Sequence, residues 1–383
     1  MNSSIINDRK RLFPKCLYHS FIEPLLVENG NGQYYNDNNI LDLYNNVCHV
    51  GHSNEKILET IKKEYATINI NTRYLNKNLQ EYGKHLYRYI QHLPKKYKMV
   101  FVNSGSEAND LALRISLIYR NKGKIVSLKD SYHGTTFLCD MVSHLYPTGI
   151  HKNKYDDNVI FIDRDNFYLE QDNISSIIME TIQGVAGNIP LSKKFVTDLF
   201  KFAEKERIIT ICDEVQTGFG RTGETFWSFD YYGVCPDIIT CGKSIANGYP
   251  MGAVIIREDL AELLGDFYFN TYGGNSVACA VANTVLTMIE ENKLQENSKE
   301  LGLYLIERLS RIEQVNNITG RGLFIGFTLD NMNSKIVVEK LKDNNIIVGI
   351  GMNGRIRVKP PLVVNKDNID HFIDTIIQIS LNN

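Results

Sequence analysis

The sequence lacks the features that would assign it to a membrane, a secretory route or a nucleic acid. No apolar run approaches the roughly 20 residues that a membrane-spanning helix needs, and residues 1–13 lack the apolar core of a signal peptide. The 42 basic and 44 acidic residues almost cancel, so no net charge attracts nucleic acid or an anionic membrane. We therefore expect a cytoplasmic protein with neither kind of partner.

Disulfides and metal clusters also have little support. The 7 cysteines form no C-x-x-C pair, and their number is odd and their spacing irregular. This pattern is typical of reduced, packed thiols, so we expect no metal site. No internal repeat or long linker is present, and 383 residues suffice for two domains.

The middle of the sequence contains an alternation of strand-like and helix-like segments. Short runs rich in β-branched residues, such as 99–103, 124–128 and 208–214, are separated by stretches with helical spacing, such as 107–120 and 193–206. This alternation predicts an α/β fold with a mainly parallel sheet covered on both faces.

The pattern changes near both ends of the chain. From about residue 285, long amphipathic helices with few strands predict a smaller α+β domain over 285–383. We expect residues 46–284 to form the large domain and residues 1–45 to pack on the small one. The Asn-rich stretch 28–39 has the turn residues of a hairpin, although asparagine is also common throughout the chain.

Polar residues just after the predicted strands are candidates for a ligand site, since open α/β sheets bind ligands at the carboxyl ends of their strands. Residues 104–109 open a helix, where small residues expose backbone N–H groups to an anion, although a plain helix cap explains them as well. Tyr132, His133 and Gly134 follow the next strand. An aromatic ring there can lie on a planar ligand or simply fill a loop.

Two charged residues end later strands. Asp213 can be a metal ligand, a general base or the partner of a ring nitrogen, and a helix cap or loop ion pair explains it equally well. Lys243 lies in a glycine-rich loop, where burial would make its neutral amine available for Schiff-base chemistry, although a mobile surface lysine is the usual reading. Together, an anion cup, a stacking aromatic ring, an acid and an amine suit the phosphate, ring, ring nitrogen and aldehyde of pyridoxal 5′-phosphate.

Six motifs run across nearly the whole chain: NSGSEAND (103–110), YHG (132–134), DEVQTGFGRTG (213–223), PDIITCGKSIANGYPMGAV (236–254), TYGGN (271–275) and RGLFIG (321–326). In these motifs the sequence resembles the class-III (omega) aminotransferases, which have the fold-type-I architecture of pyridoxal-phosphate enzymes. The resemblance implies a large domain with a mainly parallel seven-stranded sheet, a smaller α+β domain, and the cofactor pyridoxal 5′-phosphate.

The resemblance also implies residue roles. Lys243 forms the Schiff base, Asp213 pairs with the ring nitrogen and Tyr132 stacks on the ring, and these three are the implied catalytic residues. Gln216 lies near the ring hydroxyl, and Thr271 reaches the phosphate from the neighbouring subunit of a homodimer. The implied cofactor-binding residues are Gly105, Ser106, Tyr132, His133, Glu180, Asp213, Val215, Gln216, Lys243 and Thr271. The implied substrate-binding residues are Arg73, Glu180 and Arg357.

Segments 44–52, 71–75, 268–275 and 357–362 are most similar to the branch that holds alanine–glyoxylate aminotransferase 2 and the ethanolamine-phosphate phospho-lyases. We favour an aminotransferase that moves an amino group from a primary amine or amino acid to a keto acid such as pyruvate, glyoxylate or 2-oxoglutarate. The resemblance implies that Arg357 lies where aminotransferases of this family carry an arginine for the keto-acid carboxylate and where phospho-lyases tend to have lysine. An arginine can bind a carboxylate through two parallel hydrogen bonds, although Arg357 can also cap a strand.

Other functions stay open on the sequence. A phospho-lyase that eliminates phosphate from a phosphorylated amine such as O-phosphoethanolamine is the first alternative, and Arg73 could bind a substrate phosphate. A non-catalytic binding protein of the same fold is the second, and the intact pair of Lys243 and Asp213 argues against it. The segment between residues 134 and 180 is shorter than the family pattern, which predicts a trimmed surface excursion near the mouth of the site.

Overall fold

The computed structural model describes residues 2–17, 19–121, 123–145, 158–169 and 173–381. The helices are α1 (Asn2–Leu12), α2 (Glu55–Thr67), α3 (Lys77–Tyr87), α4 (Gly105–Tyr119), α5 (Phe137–Val142), α6 (Gly184–Gly187), α7 (Lys193–Lys205), α8 (Glu258–Ala261), α9 (Ser276–Glu291), α10 (Leu294–Ser310), α11 (Ser334–Asp343) and α12 (Lys366–Leu381). The strands are β1 (Gly30–Asn31), β2 (Tyr34–Tyr35), β3 (Ile40–Asp42), β4 (Tyr97–Val102), β5 (Lys124–Leu128), β6 (Val159–Ile162), β7 (Ile174–Met179), β8 (Ile182–Gln183), β9 (Ile189–Pro190), β10 (Ile209–Asp213), β11 (Ile238–Cys241), β12 (Gly252–Arg257), β13 (Val315–Arg321), β14 (Phe324–Leu329), β15 (Ile346–Ile347), β16 (Gly349–Ile350) and β17 (Ile356–Val358).

A seven-stranded sheet in the order β4-β12-β11-β10-β7-β5-β6 forms the centre of the molecule. Strand β12 is antiparallel to both of its neighbours, and the other adjacent strands are parallel. Every residue of β7, β10 and β11 is buried, as expected of strands covered on both faces. The predicted α/β fold with a mainly parallel seven-stranded sheet is confirmed.

Two apolar clusters cover the two faces of this sheet. Ile238 and Ile239 are successive residues of β11, yet each belongs to a different cluster, because side chains alternate between the faces of a strand. Leu111 and Ile115 of α4 pack in one cluster, and Leu199 of α7 packs in the other. Helices therefore cover both faces of the sheet, and the carboxyl ends of its parallel strands lie along one edge.

The Asn-rich stretch forms hairpins. Strands β1, β2 and β3 are consecutively antiparallel, and the turn between β2 and β3 contains Asn36, Asp37 and Asn38, all with φ between 50° and 65°. Asparagine and aspartate tolerate this left-handed region better than other residues with a Cβ. The hairpin prediction is confirmed.

The N-terminal strands join the C-terminal part of the chain. Strand β3 pairs in parallel with β15, which completes a four-stranded sheet, and β13, β14, β17 and β16 form another. Helix α9 runs without a break across residue 285, and the domain boundaries at 45 and 285 stay predictions. Within the shortened segment 134–180, residues 146–157 and 170–172 lie outside the described residues. None of the described helices is long and apolar enough to cross a membrane.

Candidate active site

An anion cup lies at the start of α4. Ser104 caps the helix, since its Oγ accepts a hydrogen bond from the Glu107 N–H at 3.1 Å. The N–H groups of Gly105 and Ser106 belong to the first turn, where helix geometry provides no acceptor. A Cβ at position 105 would lie 2.7 Å from Cγ1 of Val215, so only glycine fits there.

A second glycine shapes the same cup from the YHG motif. Gly134 has φ +128°, and a Cβ there would lie 2.4 Å from Oγ of Ser106. The same Oγ accepts a hydrogen bond from the Thr135 N–H at 3.2 Å. Backbone groups and a hydroxyl thus surround a small open space at the helix N-terminus, where the helix dipole favours an anion.

Asp213 ends β10 and is held by three donors. Its Oδ2 accepts hydrogen bonds from His133 Nδ1 and Asn109 Nδ2, both at 2.8 Å, and its Oδ1 accepts one from the Val215 N–H at 3.0 Å. An ionised carboxylate only accepts hydrogen bonds, so the proton of His133 is on Nδ1. The buried carboxylate is therefore fixed in orientation.

Lys243 follows β11 with a backbone φ of 44°, a left-handed conformation that is unfavourable for a lysine. Its side chain is half-buried, and desolvation there lowers the pKa of its ammonium group, although the nearby carboxylates of Asp213 and Glu180 partly offset this. A lowered pKa makes the neutral, nucleophilic amine more available.

Glu180 is a second buried carboxyl group at this edge. Its Oε1 accepts hydrogen bonds from the Gly184 N–H at 3.2 Å and from Gln216 Nε2 at 3.4 Å, and its Oε2 accepts one from the Tyr132 N–H at 3.3 Å. Burial raises the pKa of Glu180 to about 7. The group can therefore change protonation state near neutral pH.

These strand ends meet in one cavity. The residues that line it are Ser104, Gly105, Ser106, Asn109, Tyr132, His133, Gly134, Glu180, Asp213, Val215, Gln216 and Lys243. Arg73, Thr271 and Arg357 do not line it. Arg73 and Thr271 are exposed, and the Arg73 guanidinium lies 3.9 Å from the ring centre of Phe269. The role of Thr271 at the phosphate of a neighbouring subunit and the role of Arg73 in substrate binding stay predictions.

Arg357 lies next to the cavity rather than in its wall. The side chain is buried, and its Nη1 donates to the Gly184 carbonyl at 3.0 Å while its Nη2 donates to the Tyr44 hydroxyl at 2.9 Å. Its Nε has no partner among the described residues. The guanidinium therefore keeps one free donor, and it shares Gly184 as a hydrogen-bond partner with Glu180, whose carboxylate accepts from the Gly184 N–H.

Sequence reasoning missed Lys359. Its Nζ donates to Gln216 Oε1 at 3.1 Å, and Asn46 Nδ2 donates to the same oxygen at 3.2 Å. Burial and the neighbouring Arg357 lower the pKa of Lys359 well below its ordinary value. Strand periodicity was the available signal, because residues 357 and 359 are two apart and point to the same face.

A sequence model of the family described as aminotransferase class-III matches residues 19–380. The chain belongs to this family. It is 32% identical to "Alanine--glyoxylate aminotransferase 2-like" of Drosophila melanogaster, over 92% of this chain and 81% of the relative. It is 31% identical to "Ethanolamine-phosphate phospho-lyase homolog 1" of Caenorhabditis elegans, over 95% and 90%.

A solved structure matches almost the whole chain. The phospholyase from Arthrobacter, in complex with phosphoethanolamine, superposes with a TM-score of 0.89 at 26% identity and covers 99% of each chain. The expected fold-type-I architecture is confirmed, and so is the branch that the sequence resembles.

The family's cofactor is pyridoxal 5′-phosphate. The residues at the strand ends fit it, because Gly105 and Gly134 leave room that a side chain would fill beside the N-terminus of α4. The same cavity presents the carboxylate of Asp213 and the amine of Lys243. An anion site, a partner for a ring nitrogen and an amine for an aldehyde are thus present together.

Proposed function

We propose that the protein is an aminotransferase that moves an amino group from a primary amine or amino acid to a keto acid such as pyruvate, glyoxylate or 2-oxoglutarate. The observation that supports transamination is the buried guanidinium of Arg357. It has backbone and hydroxyl partners, no carboxylate partner among the described residues, and an unpaired Nε. A buried cation without a counter-ion is costly, and a substrate carboxylate would supply that counter-ion.

The residues in the cavity have distinct tasks in this reaction. Bound at the site, the cofactor supplies an electron sink for the carbon that bears the substrate nitrogen. Lys243 holds the cofactor through its amine and, once the substrate amine has replaced it, moves a proton to and from that carbon. Asp213, oriented by His133 and Asn109, keeps the proton on the ring nitrogen. Tyr132 covers the ring, and the N-terminus of α4 binds the phosphate.

We further propose a homodimer that shares its active sites. Thr271 and Arg73 lie on one surface, because Arg73 stacks on Phe269 of the segment that contains Thr271. Leu75 is 98% exposed and Tyr272 is 71% exposed on the same surface. Apolar side chains exposed together favour a protein partner, and a second copy would bring Thr271 to the opposite phosphate site. A cytoplasmic location stays a prediction.

A phospho-lyase is the second candidate. The likeness to the Arthrobacter phospholyase and to the Caenorhabditis elegans homologue supports it, because these proteins are named for that reaction. Arg73 at the proposed subunit surface would then bind a substrate phosphate. Both candidates need the same Lys243 and Asp213, and they differ in the anion that the substrate pocket receives.

Product analysis separates the two. The holoenzyme is incubated with O-phosphoethanolamine, or with a panel of amines and pyruvate, and both inorganic phosphate and alanine are measured. Transamination predicts alanine from pyruvate with an amine donor and no phosphate release. Phosphate released from O-phosphoethanolamine without alanine formation would overturn the aminotransferase proposal and support the phospho-lyase.

A further inference from the structure

We infer that Lys359 is a positioning residue for Gln216, and that it fixes which end of the Gln216 amide faces the cofactor ring. Gln216 lines the cavity, whereas Lys359 does not. The two side chains are joined by the 3.1 Å hydrogen bond from Lys359 Nζ to Gln216 Oε1. The hydrogen bond that links Lys359 to the residues lining the cavity is therefore the one to this amide.

The orientation of the amide follows from its neighbours. Oε1 of Gln216 faces two nitrogens, Lys359 Nζ at 3.1 Å and Asn46 Nδ2 at 3.2 Å, and Nε2 faces the Glu180 carboxylate at 3.4 Å. A flipped amide would put its N–H donors against both nitrogens and its oxygen against the carboxylate. A lysine retains N–H donors whether or not it is charged, so the lowered pKa of Lys359 does not remove this preference.

The backbone holds Lys359 in place. The residue precedes Pro360, which favours an extended conformation and continues the alternation of β17, so Lys359 points to the same face as Arg357. Its N–H donates to the Leu43 carbonyl at 2.8 Å, and its Nζ lies 4.7 Å from the ring centre of Tyr44. These contacts hold the side-chain nitrogen of Lys359 against Gln216.

In this orientation, Gln216 presents an N–H donor to the ring oxygen of the cofactor. One N–H of Gln216 Nε2 faces Glu180, and the other has no second partner among the described residues. If Gln216 lies beside the ring hydroxyl, as its place in the proposed site requires, that N–H stabilises the deprotonated ring oxygen. This inference rests on the proposed cofactor contact of Gln216 and is independent of which reaction follows.

The test is an absorbance titration of the resting holoenzyme, in which pH moves the cofactor chromophore between its protonated and deprotonated forms. We expect Gln216→Leu to raise the midpoint by on the order of 0.5–1 pH unit, because the ring oxygen loses its donor and the Schiff-base proton is held more tightly. Lys359→Met should raise it by at least half as much, and Lys359→Arg should restore most of the shift.

A double variant distinguishes positioning from the charge of Lys359 alone. In the Gln216→Leu background, Lys359→Met should add less than half of the shift that it causes alone, since the amide through which it acts is gone. Gln216→Leu also removes a donor from Glu180, so the effect of Lys359→Met is compared within each background. A full, additive shift in the double variant would overturn the proposal, as would a Lys359→Met midpoint equal to that of the unsubstituted enzyme.

A second variant guards against the case in which Lys359→Met fails to fold, because Asn46 also donates to Gln216 Oε1. Asn46→Leu removes the other donor to Gln216 Oε1 and should move the midpoint in the same direction. If Lys359→Met does not fold, the Asn46 variant with and without Gln216→Leu provides the same comparison. No shift in the Asn46 variant would then contradict positioning. Because the titration uses no substrate, its failure would leave the aminotransferase proposal intact.

Discussion

Nδ1 of His133 lies 2.8 Å from Oδ2 of Asp213, and both side chains are buried. This hydrogen bond ties the YHG motif to the carboxyl end of β10 and orients the carboxylate toward the cavity. Asp213→Asn should keep the fold and the bound cofactor, since the amide has nearly the size of the carboxylate and its oxygen can still accept from His133 and Asn109. Turnover should fall by roughly 10²-fold or more, because a buried charge that stabilises the reacting ring is lost. Steady-state kinetics with a cofactor spectrum checks this, and a near-normal rate would mean that another residue has this task.

The covalent anchor can be tested by comparing Lys243 with a second lysine beside the site. Lys243→Ala should still bind the cofactor through the cup at the start of α4, but its chromophore should no longer be fixed by borohydride. Lys359→Ala is the matched control, since Lys359 is buried beside the site, and it should retain the reducible chromophore. Peptide mapping of the reduced adduct identifies the lysine. An adduct on a lysine other than Lys243 would refute the assignment.

In the proposed dimer, Thr271 contributes to the phosphate site of the opposite subunit. Thr271→Ala should weaken cofactor retention by roughly 1.5–3 kcal/mol, the usual range for a hydrogen bond to a charged acceptor. Thr67→Ala is the control, because Thr67 is exposed on α2 and bonds only to the Lys63 carbonyl of its own helix. Cofactor dissociation and sedimentation are measured together. A fully active monomer would contradict the shared site.

Buried Glu214 predicts a pH dependence of stability. Burial raises its pKa from 4.5 to about 7. Between these values the folded protein retains a proton that the unfolded chain releases, so this group makes the free energy of unfolding fall as the pH rises. Glu214→Gln does not titrate and should lose less stability over the same range, by up to roughly 3 kcal/mol.

Denaturant unfolding of both proteins at several pH values from 4.5 to 8 measures this difference. Glu180 has a similarly raised pKa, but it contributes equally to both proteins and cancels. Glu214 is held by Thr217 and by the N–H groups of Ser228 and Phe229, so the variant also loses some hydrogen bonding at every pH. The pH slope is therefore the decisive quantity, and identical slopes would contradict the prediction.

Arg357→Lys should raise the Michaelis constant for the keto acid by roughly tenfold, about 1.4 kcal/mol, because an ammonium cannot make the two parallel bonds of a guanidinium. The amine donor should be affected less. Arg355→Lys is the control, since Arg355 is buried two residues away and donates to the Gly187 and Asn317 carbonyls. An equal effect on both substrates would remove the carboxylate role from Arg357 and leave transamination standing.

The elements that the sequence predicted are those with strong local signals. The strand over 124–128 was predicted to the residue, because continuous β-branched runs between polar segments are typical of buried parallel strands. The start of α4 was equally clear from its small and acidic residues, and Ser104 is indeed its cap. Motif order alone also predicted that the residues after four strands would share a site.

The hydrogen bonds that support that site could not be predicted from local sequence patterns. Lys359 and Gln216 are 143 positions apart, and Tyr44, which contacts both Arg357 and Lys359, comes from the N-terminal part of the chain. No periodicity indicates which distant donor meets which acceptor, so the sequence drew attention to Arg357 and missed its neighbour. For Thr271 and Arg73 the reverse holds. The sequence motifs predict their roles, but in the single chain both side chains are exposed and do not line the cavity.

The sequence by itself thus determined the order of strands and helices, the family and the cofactor, because periodicity, capping and motif spacing act over short stretches of chain. The tertiary structure alone decided that His133 holds Asp213, that Arg357 is buried without a carboxylate, and that Lys359 controls the amide of Gln216. These contacts join strand ends that meet only when the sheet and its C-terminal neighbour pack together. Burial of that junction excludes water, so most of its donors meet acceptors from distant parts of the chain, while Arg357 Nε has none among the described residues.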